Sequence, residues 1–314
     1  MVQWMEIQSR TLTVRSPRAE LLGPAELAAL GGLEFVARQV VEGFIAGLHR
    51  SPHRGFSVEF AEHRAYQPGD DLRYIDWRMY GRSDRYFVKQ FEQETNLRAY
   101  VLVDASASMA WTSAPDQIPP KLWYAKQLAA CLSLLLLRQG DAVGLVGFHE
   151  LVSLHIPVRG GRRHWYEVLR GLEPLRPGGR TEAGNALRDI AGRLRRRGLV
   201  ILLSDLLVDP ESTRLALHYL RHSGHEVLVL HIIDPGEREL PGVGAARFVD
   251  PETGDEVPAS AAELRAEYRE AVERALAEWR QALAPAGIEY VIAETDRPMA
   301  HALRAYLRKR ERLG

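Results

Sequence analysis

The stretch Arg98-Ala99-Tyr100-Val101-Leu102-Val103-Asp104-Ala105-Ser106-Ala107-Ser108 decides the reading of this chain. Its first six residues are nearly continuously apolar, the pattern of a parallel strand buried on both faces. The run ends abruptly in an acid, and hydroxyls follow at alternate positions. Outward from it, Val-, Leu- and Ile-rich runs at 142–148, 199–204, 226–233 and 288–293 predict further strands. Helical spacing lies between them, at about 120–138, 163–171, 182–197, 210–222 and 259–284, with a last helix at 297–312. Strand–helix alternation of this kind predicts an α/β fold, a doubly wound and mostly parallel sheet spanning residues 97–314. The segment 151–157 is predicted to pair antiparallel with 142–148 at a sheet edge, and 248–257 to form a small inserted hairpin.

Upstream the character changes. Residues 1–20 show no periodicity and read as a loose arm. Pro24-Ala25-Glu26-Leu27 opens a helical stretch running to about Arg50, with Leu27, Leu30, Leu33, Val36, Val40, Phe44 and Leu48 at helical spacing. Residues 51–96 are rich in aromatics, Arg and Asp, carry turn signals at Pro68-Gly69-Asp70-Asp71, and predict short strands at 56–60 and 86–91. The expected organisation is a loose arm (1–20), a helix plus a small β-rich segment (21–96), and one α/β domain (97–314).

Composition sets limits. At 314 residues, 46% hydrophobic and 26% charged, the chain is long enough for a sizeable core. Formal net charge is zero, so no global field draws it to nucleic acid or an anionic membrane. Cys131 is the only cysteine, which excludes disulfides and thiolate metal sites within one chain, and its apolar surroundings predict a buried helix residue. The longest apolar run, 128–137, is too short to span a bilayer, where about 20 residues are needed. With no signal-peptide core near the N-terminus, the expected location is the cytoplasm.

Two later segments complete the opening motif: Gly178-Gly179-Arg180-Thr181, and Val200-Ile201-Leu202-Leu203-Ser204-Asp205. In an open α/β sheet, ligands bind beyond the carboxyl ends of the strands, where strand order reverses. Asp104, Ser106, Ser108, Thr181 and Asp205 are therefore expected to reach one rim and to offer two carboxylates and three hydroxyls. All are hard oxygen donors, suited to Mg²⁺, with Mn²⁺ as the alternative, and they leave a position for water or an outside carboxylate. Taken singly, Asp104 or Thr181 reads equally as a helix cap and Asp205 as a strand-ending turn residue.

This order of motifs resembles the metal-ion-dependent adhesion site of von Willebrand factor type A (vWA) domains. The blocks from Arg64 to Trp77, Phe91-Glu92-Gln93-Glu94, Lys121-Leu122-Trp123-Tyr124-Ala125-Lys126 and Arg138-Gln139-Gly140-Asp141-Ala142-Val143-Gly144-Leu145 resemble the bacterial family of unknown function numbered fifty-eight. That family places such an Arg- and Asp-rich block ahead of a vWA-like domain. This sequence has Gly81-Arg82 where many relatives have Ala-Arg, away from the metal motif. The resemblance implies a non-enzymatic, metal-dependent protein-interaction module whose partner donates an acidic side chain to the ion. It also implies a MoxR-type AAA+ ATPase as that partner, in chaperone-like assembly or activation of other proteins.

Other constellations compete. Arg64, Asp70, Asp71, Arg73, Asp76, Trp77 and Arg82 read as an ion-pair lattice or a partner surface, Arg–carboxylate pairs being suited to docking one segment on another. The enzymatic alternative is a metal-dependent hydrolase or phosphotransferase with Asp70, Asp71 or Asp76 as base. A third reading is a nucleic-acid scaffold through the basic run 193–197, but no aromatic platform accompanies it. That run and the one at 308–312 read as solvated cations in the last turns of helices. No phosphate-binding Gly-Lys-Ser/Thr ending and no His-Glu-x-x-His helix occurs.

Overall fold

The structure, a computed structural model, describes residues 23–50, 63–65, 80–82, 85–89, 97–179, 183–194, 196–240, 245–249 and 256–311. Two N-terminal helices, α1 (Pro24–Leu30) and α2 (Leu33–Arg50), replace the single helix expected from periodicity. The break falls at Gly31-Gly32, where Gly31 has φ 130, a conformation closed to most L-residues. A short antiparallel pair follows, β1 (His63–Ala65) and β2 (Phe87–Lys89). The predicted strand at 56–60 lies outside the described residues, as does the arm at 1–20.

From residue 98 the elements alternate as predicted: β3 (Arg98–Asp104), α3 (Lys121–Arg138), β4 (Ala142–Phe148), β5 (Val152–Arg159), α4 (Arg162–Leu172), α5 (Ala183–Arg193), β6 (Leu199–Ser204), α6 (Pro210–His222) and β7 (Glu226–Ile233). A short helix α7 (Pro235–Glu239), the hairpin β8 (Ala245–Val249) and β9 (Glu256–Ser260), the long α8 (Ala261–Leu283), β10 (Glu289–Glu294) and α9 (Ala300–Glu311) complete the domain. The six-stranded sheet has the order β10-β7-β6-β3-β4-β5. Every pairing in it is parallel except β4–β5. β5 is the antiparallel edge expected from 151–157, and its exposure alternates along the strand because one face meets solvent.

Alternate residues of the central strands enter two cores. Val101, Val103, Leu145, Ile201 and Leu230 face one layer, built by α2, α3, α4 and α9. Leu102, Val146, Val200, Leu202 and Val229 face the other, built by α5, α6 and α8. This two-sided burial explains the unbroken apolar strands. Helix α3 is itself covered on both sides, by the sheet and by α2 and α4, so Leu128, Ala129, Ala130, Cys131, Leu132 and Leu136 are all buried. Each such leucine contributes roughly 1.5–3 kcal/mol on burial. The apolar run 128–137 is thus a helix with no solvent face, and Cys131 is buried as expected. At the entry to β6, a side chain at Gly198 would collide with the Arg98 carbonyl, its Cβ lying 2.1 Å away. Glycine there lets β6 lie against β3, and this pair carries the site.

Candidate metal centre

β3 leads through α3 to β4 on one side, and the chain later returns to β6 on the other side of β3. The gap between β3 and β6 at their carboxyl ends is therefore the topological switch point, where open α/β sheets place ligands. Asp104 is the last residue of β3, and Asp205 directly follows β6. Both are buried.

The Asp104 carboxylate accepts from the Ser106 N–H at 2.9 Å through Oδ1 and from the Ser204 hydroxyl at 2.6 Å through Oδ2. Ser204 Oγ accepts in turn from the Leu206 N–H at 3.0 Å. Leu206 has φ 51, an uncommon conformation for a branched residue and worth reading as local strain. The turn it makes lets the Leu207 N–H reach Asp205 Oδ1 at 3.2 Å while the Leu207 side chain stands exposed. Ser106 and Ser108 are buried with their hydroxyl oxygens 3.0 Å apart. The third motif is stitched to the first: the Gly178 N–H donates to the Ala105 carbonyl at 2.9 Å, and the Ala107 N–H to the Gly179 carbonyl at 3.2 Å. Four of the five residues expected at the rim, Asp104, Ser106, Ser108 and Asp205, thus lie on two loops at one switch point. Thr181 lies outside the described residues.

Sequence reasoning passed over four neighbours. Lys121, at the start of α3, is completely buried. Its ammonium donates to Asp205 Oδ2 at 2.7 Å and to Glu237 of α7. Ser204 bridges the two strand ends as described. His231 of β7 is buried, with Nδ1 2.6 Å from the Tyr290 hydroxyl. Burial pushes its imidazole down to about 4 against an opposing pull from Asp205, so it is neutral at pH 7. One signal for Lys121 was available, since it is one of the few lysines in a chain that otherwise uses arginine.

Among the described residues, Asp104, Asp205 and Glu237 bring three carboxyl groups to the rim against one ammonium, that of Lys121. Burial works against the charge of Lys121, but Asp205 and Glu237 outweigh it and hold its pKa above the usual value. Asp104 makes no ion pair among the described residues. Burial, then the nearby charge of Asp205, push its carboxyl up to about 7 despite its hydrogen bonds. An uncompensated buried carboxylate beside a second carboxylate and two converging hydroxyls fits a hard divalent cation. Among the described residues no group of three or more His, Cys, Asp or Glu is arranged to hold a metal. An ion at this rim would therefore need hydroxyl, water and outside ligands as well.

Of the Arg- and Asp-rich block, Arg64 falls in β1 opposite Val88, and Arg82 is exposed. Asp70, Asp71, Arg73, Asp76 and Trp77 lie outside the described residues. Tyr80 and Tyr86 stack with ring centroids 4.5 Å apart, and Tyr86 is exposed.

Comparison with known proteins adds the following. Residues 62–278 match the family described as Protein of unknown function DUF58. An uncharacterised protein of Mycobacterium tuberculosis, Rv1480, is 32% identical over 76% of this chain and 74% of its own length. The uncharacterised YeaD of Bacillus subtilis is 25% identical over 38% of this chain and 27% of its own. Among solved structures, BatB from Bacteroides thetaiotaomicron superposes with a TM-score of 0.45 at 18% identity, covering 68% of this chain and 99% of that one. A von Willebrand factor type A protein from Catenulispora acidiphila gives 0.35 at 20% identity over 56% and 41%. No helix among the described residues is long and apolar enough to cross a membrane.

Proposed function

The chain belongs to the DUF58 family of proteins of unknown function, and from that membership and the chemistry of the β3–β6 rim we propose that it is a non-enzymatic, metal-dependent protein-interaction module. One observation carries the proposal: Asp104 is a buried carboxylate at the switch point with no ion-pair partner among the described residues, beside a second acid and two adjacent hydroxyls. Asp104, Ser106 and Ser108 would hold Mg²⁺, or Mn²⁺ in its place, with Asp205 and Thr181 contributing directly or through water. The ion, when bound, supplies a Lewis-acidic position for an outside oxygen ligand.

The chain's own groups prepare that position. Ser204 and the Ser106 N–H orient the Asp104 carboxylate, and each of its oxygens keeps a lone pair for the ion. The turn at Leu206 places the exposed Leu207 immediately after Asp205, so an apolar side chain lies next to the acid in sequence and open to solvent. An acidic partner side chain completing the ion's shell suits this arrangement, since two protein carboxylates leave the other ligands neutral. A MoxR-type AAA+ ATPase is the partner class we propose, with a cytoplasmic setting and no nucleic acid involved.

The test is co-purification from host lysate with Mg²⁺, with EDTA, and with an Asp104→Ala, Ser106→Ala variant. Retention of an AAA+ ATPase by the wild-type protein in Mg²⁺ alone is the expected result. Equal retention in all three arms would remove the metal from the interaction.

A further inference from the structure

Lys121 is an odd residue to find at its position. It begins α3, an 18-residue helix whose N-terminus carries partial positive charge that disfavours a cation. It is fully buried, where an unpaired ammonium is strongly disfavoured. Among the described residues two acids hold it there, and they are not equivalent. Glu237 is fixed from three sides: its other carboxylate oxygen accepts the Asp234 N–H at 2.9 Å in the cap of α7, its carbonyl accepts the Tyr268 hydroxyl at 2.7 Å, and its neighbour Arg238 pairs with Glu273 and Glu294. Asp205 ends a strand at the metal rim, and the oxygen that binds Lys121 belongs to a carboxylate the ion would need.

We infer that Lys121 is a built-in competitor for the metal, an ammonium shared between Asp205 and Glu237 that a divalent ion drives off Asp205 and onto Glu237. The inference rests on the metal-site reading above and deepens it. A doubly charged ion at the rim repels the ammonium at short range in a site of low effective dielectric. The smallest relief is for Nζ to give up Asp205 Oδ2 and keep Glu237, a partner it already touches. No bond to the helix backbone need break, because the lysine stem is flexible and carries three rotatable donors. Loading the site would thereby concentrate Lys121 on α7, and through Glu237 and Arg238 tighten the contact of α7 with α8. The rim would report its metal state to α7 without a strand moving.

Two substitutions should move metal affinity in opposite directions. Lys121→Met keeps the length of the stem and removes the competitor. Glu237→Gln keeps the shape of the second acid and removes the charge that receives the ammonium. Titration calorimetry of the full chain with MgCl₂ and with MnCl₂, paired with thermal melts, reads both. Lys121→Met is expected to bind about tenfold tighter or more, with a larger metal-induced rise in melting temperature than wild type. Glu237→Gln is expected to bind about tenfold weaker. Tight binding by Lys121→Met alone, with none measurable in wild type, would support the same conclusion. If Lys121→Met does not fold, the loss in Glu237→Gln carries the test.

Metal binding of wild-type strength in both variants, or a change of the same sign in both, would overturn the competitor while leaving the metal site standing. No metal binding by any of the three proteins would remove the site and the competitor together.

Discussion

The two ends of the sheet bury aspartate in opposite ways. At the amino end, Asp141 directly precedes β4 and is fully buried, like Asp104. The guanidinium of Arg310, reaching in from α9, pairs with its carboxylate, and the Leu97 N–H adds a bond at 3.3 Å. The same guanidinium donates to Gln139 Oε1 at 2.6 Å, and the Tyr306 hydroxyl donates to that oxygen at 2.7 Å. Beside them Lys309 and Arg221 both pair with Glu226, at the start of β7. At the carboxyl end, Asp104 has hydroxyl and amide donors but, among the described residues, no cation of its own, and Lys121 serves Asp205 and Glu237 instead. Equal burial therefore marks two kinds of site. The amino end pairs its buried acid with a guanidinium, and at the carboxyl end Asp104 meets only neutral donors among the described residues.

The sharpest way to break this contrast is to remove the cation from the amino end. Arg310→Met should leave the buried Asp141 without its guanidinium and destabilise the protein by about 3 kcal/mol or more, read as a lowered urea midpoint. Added Mg²⁺ should not restore it. Asp104→Asn at the carboxyl end should do the reverse in metal-free protein at pH 8. It removes a buried charge that has no ion-pair partner among the described residues, so stability should hold or rise by about 1 kcal/mol, while any Mg²⁺-induced stabilisation disappears. Equal losses in the two variants would mean that the ends do not differ.

A pH series sharpens the same comparison. In the folded protein Asp104 titrates at about 7, against 3.8 for an ordinary aspartate. Between those values the folded state holds a proton that the unfolded chain has released. Asp104 should therefore take stability away as pH rises from about 4 to about 7, while the buried His231, held neutral down to about 4, adds stability over much of the same range. Asp104→Asn should remove the first contribution, so the variant should gain stability relative to wild type as pH rises through that window. Since the ion needs the deprotonated carboxylate, Mg²⁺ affinity should climb with pH over the same window and flatten above it. Melts from pH 5 to 8, with and without Mg²⁺, measure both trends.

Much of this was legible in the chain because the strands are buried on both sides. An unbroken apolar run ending in Asp-x-Ser-x-Ser sets both the strand and its exit, so β3, β4, β6 and β7 fall where periodicity puts them. The meeting of Asp104, Ser106, Ser108 and Asp205 at one rim was legible, because motif and strand end coincide there. It was not legible where partners come from distant elements. Nothing local says that Lys121 lies beneath Asp205, 84 residues away, or that Glu237 lies 116 residues away. The basic run at 308–312 misled for the same reason. It read as solvated cations, yet Lys309 is buried on Glu226 and Arg310 is half-buried on Asp141, because α9 packs its last turn over the amino end of the sheet. The helix 24–50 divided because two adjacent glycines outweigh an otherwise continuous apolar stripe.

The smallest expected effects test whether the hydroxyls at the two ends do different work. Ser108 and Tyr306 are both buried; the Ser108 hydroxyl lies 3.0 Å from Ser106 Oγ, and the Tyr306 hydroxyl donates to Gln139 Oε1 at 2.7 Å and accepts from Arg310 at 3.3 Å. Removing either hydroxyl from a purely structural network costs about 1 kcal/mol. Tyr306→Phe should show that loss in full, because Gln139 then keeps Arg310 but loses a donor, and the loss should be the same with or without Mg²⁺. Ser108→Ala should cost less in metal-free protein, since Ser106 Oγ retains a lone pair and a proton it can redirect. Its effect should emerge only when the ion is added, as a few-fold weaker Mg²⁺ affinity, because water can fill one octahedral position without the orientation the hydroxyl provided. A Ser108→Ala variant that loses stability like Tyr306→Phe, with unchanged Mg²⁺ affinity, would place that hydroxyl among the structural hydrogen bonds and confine the metal-binding oxygens to Asp104, Asp205 and Ser106.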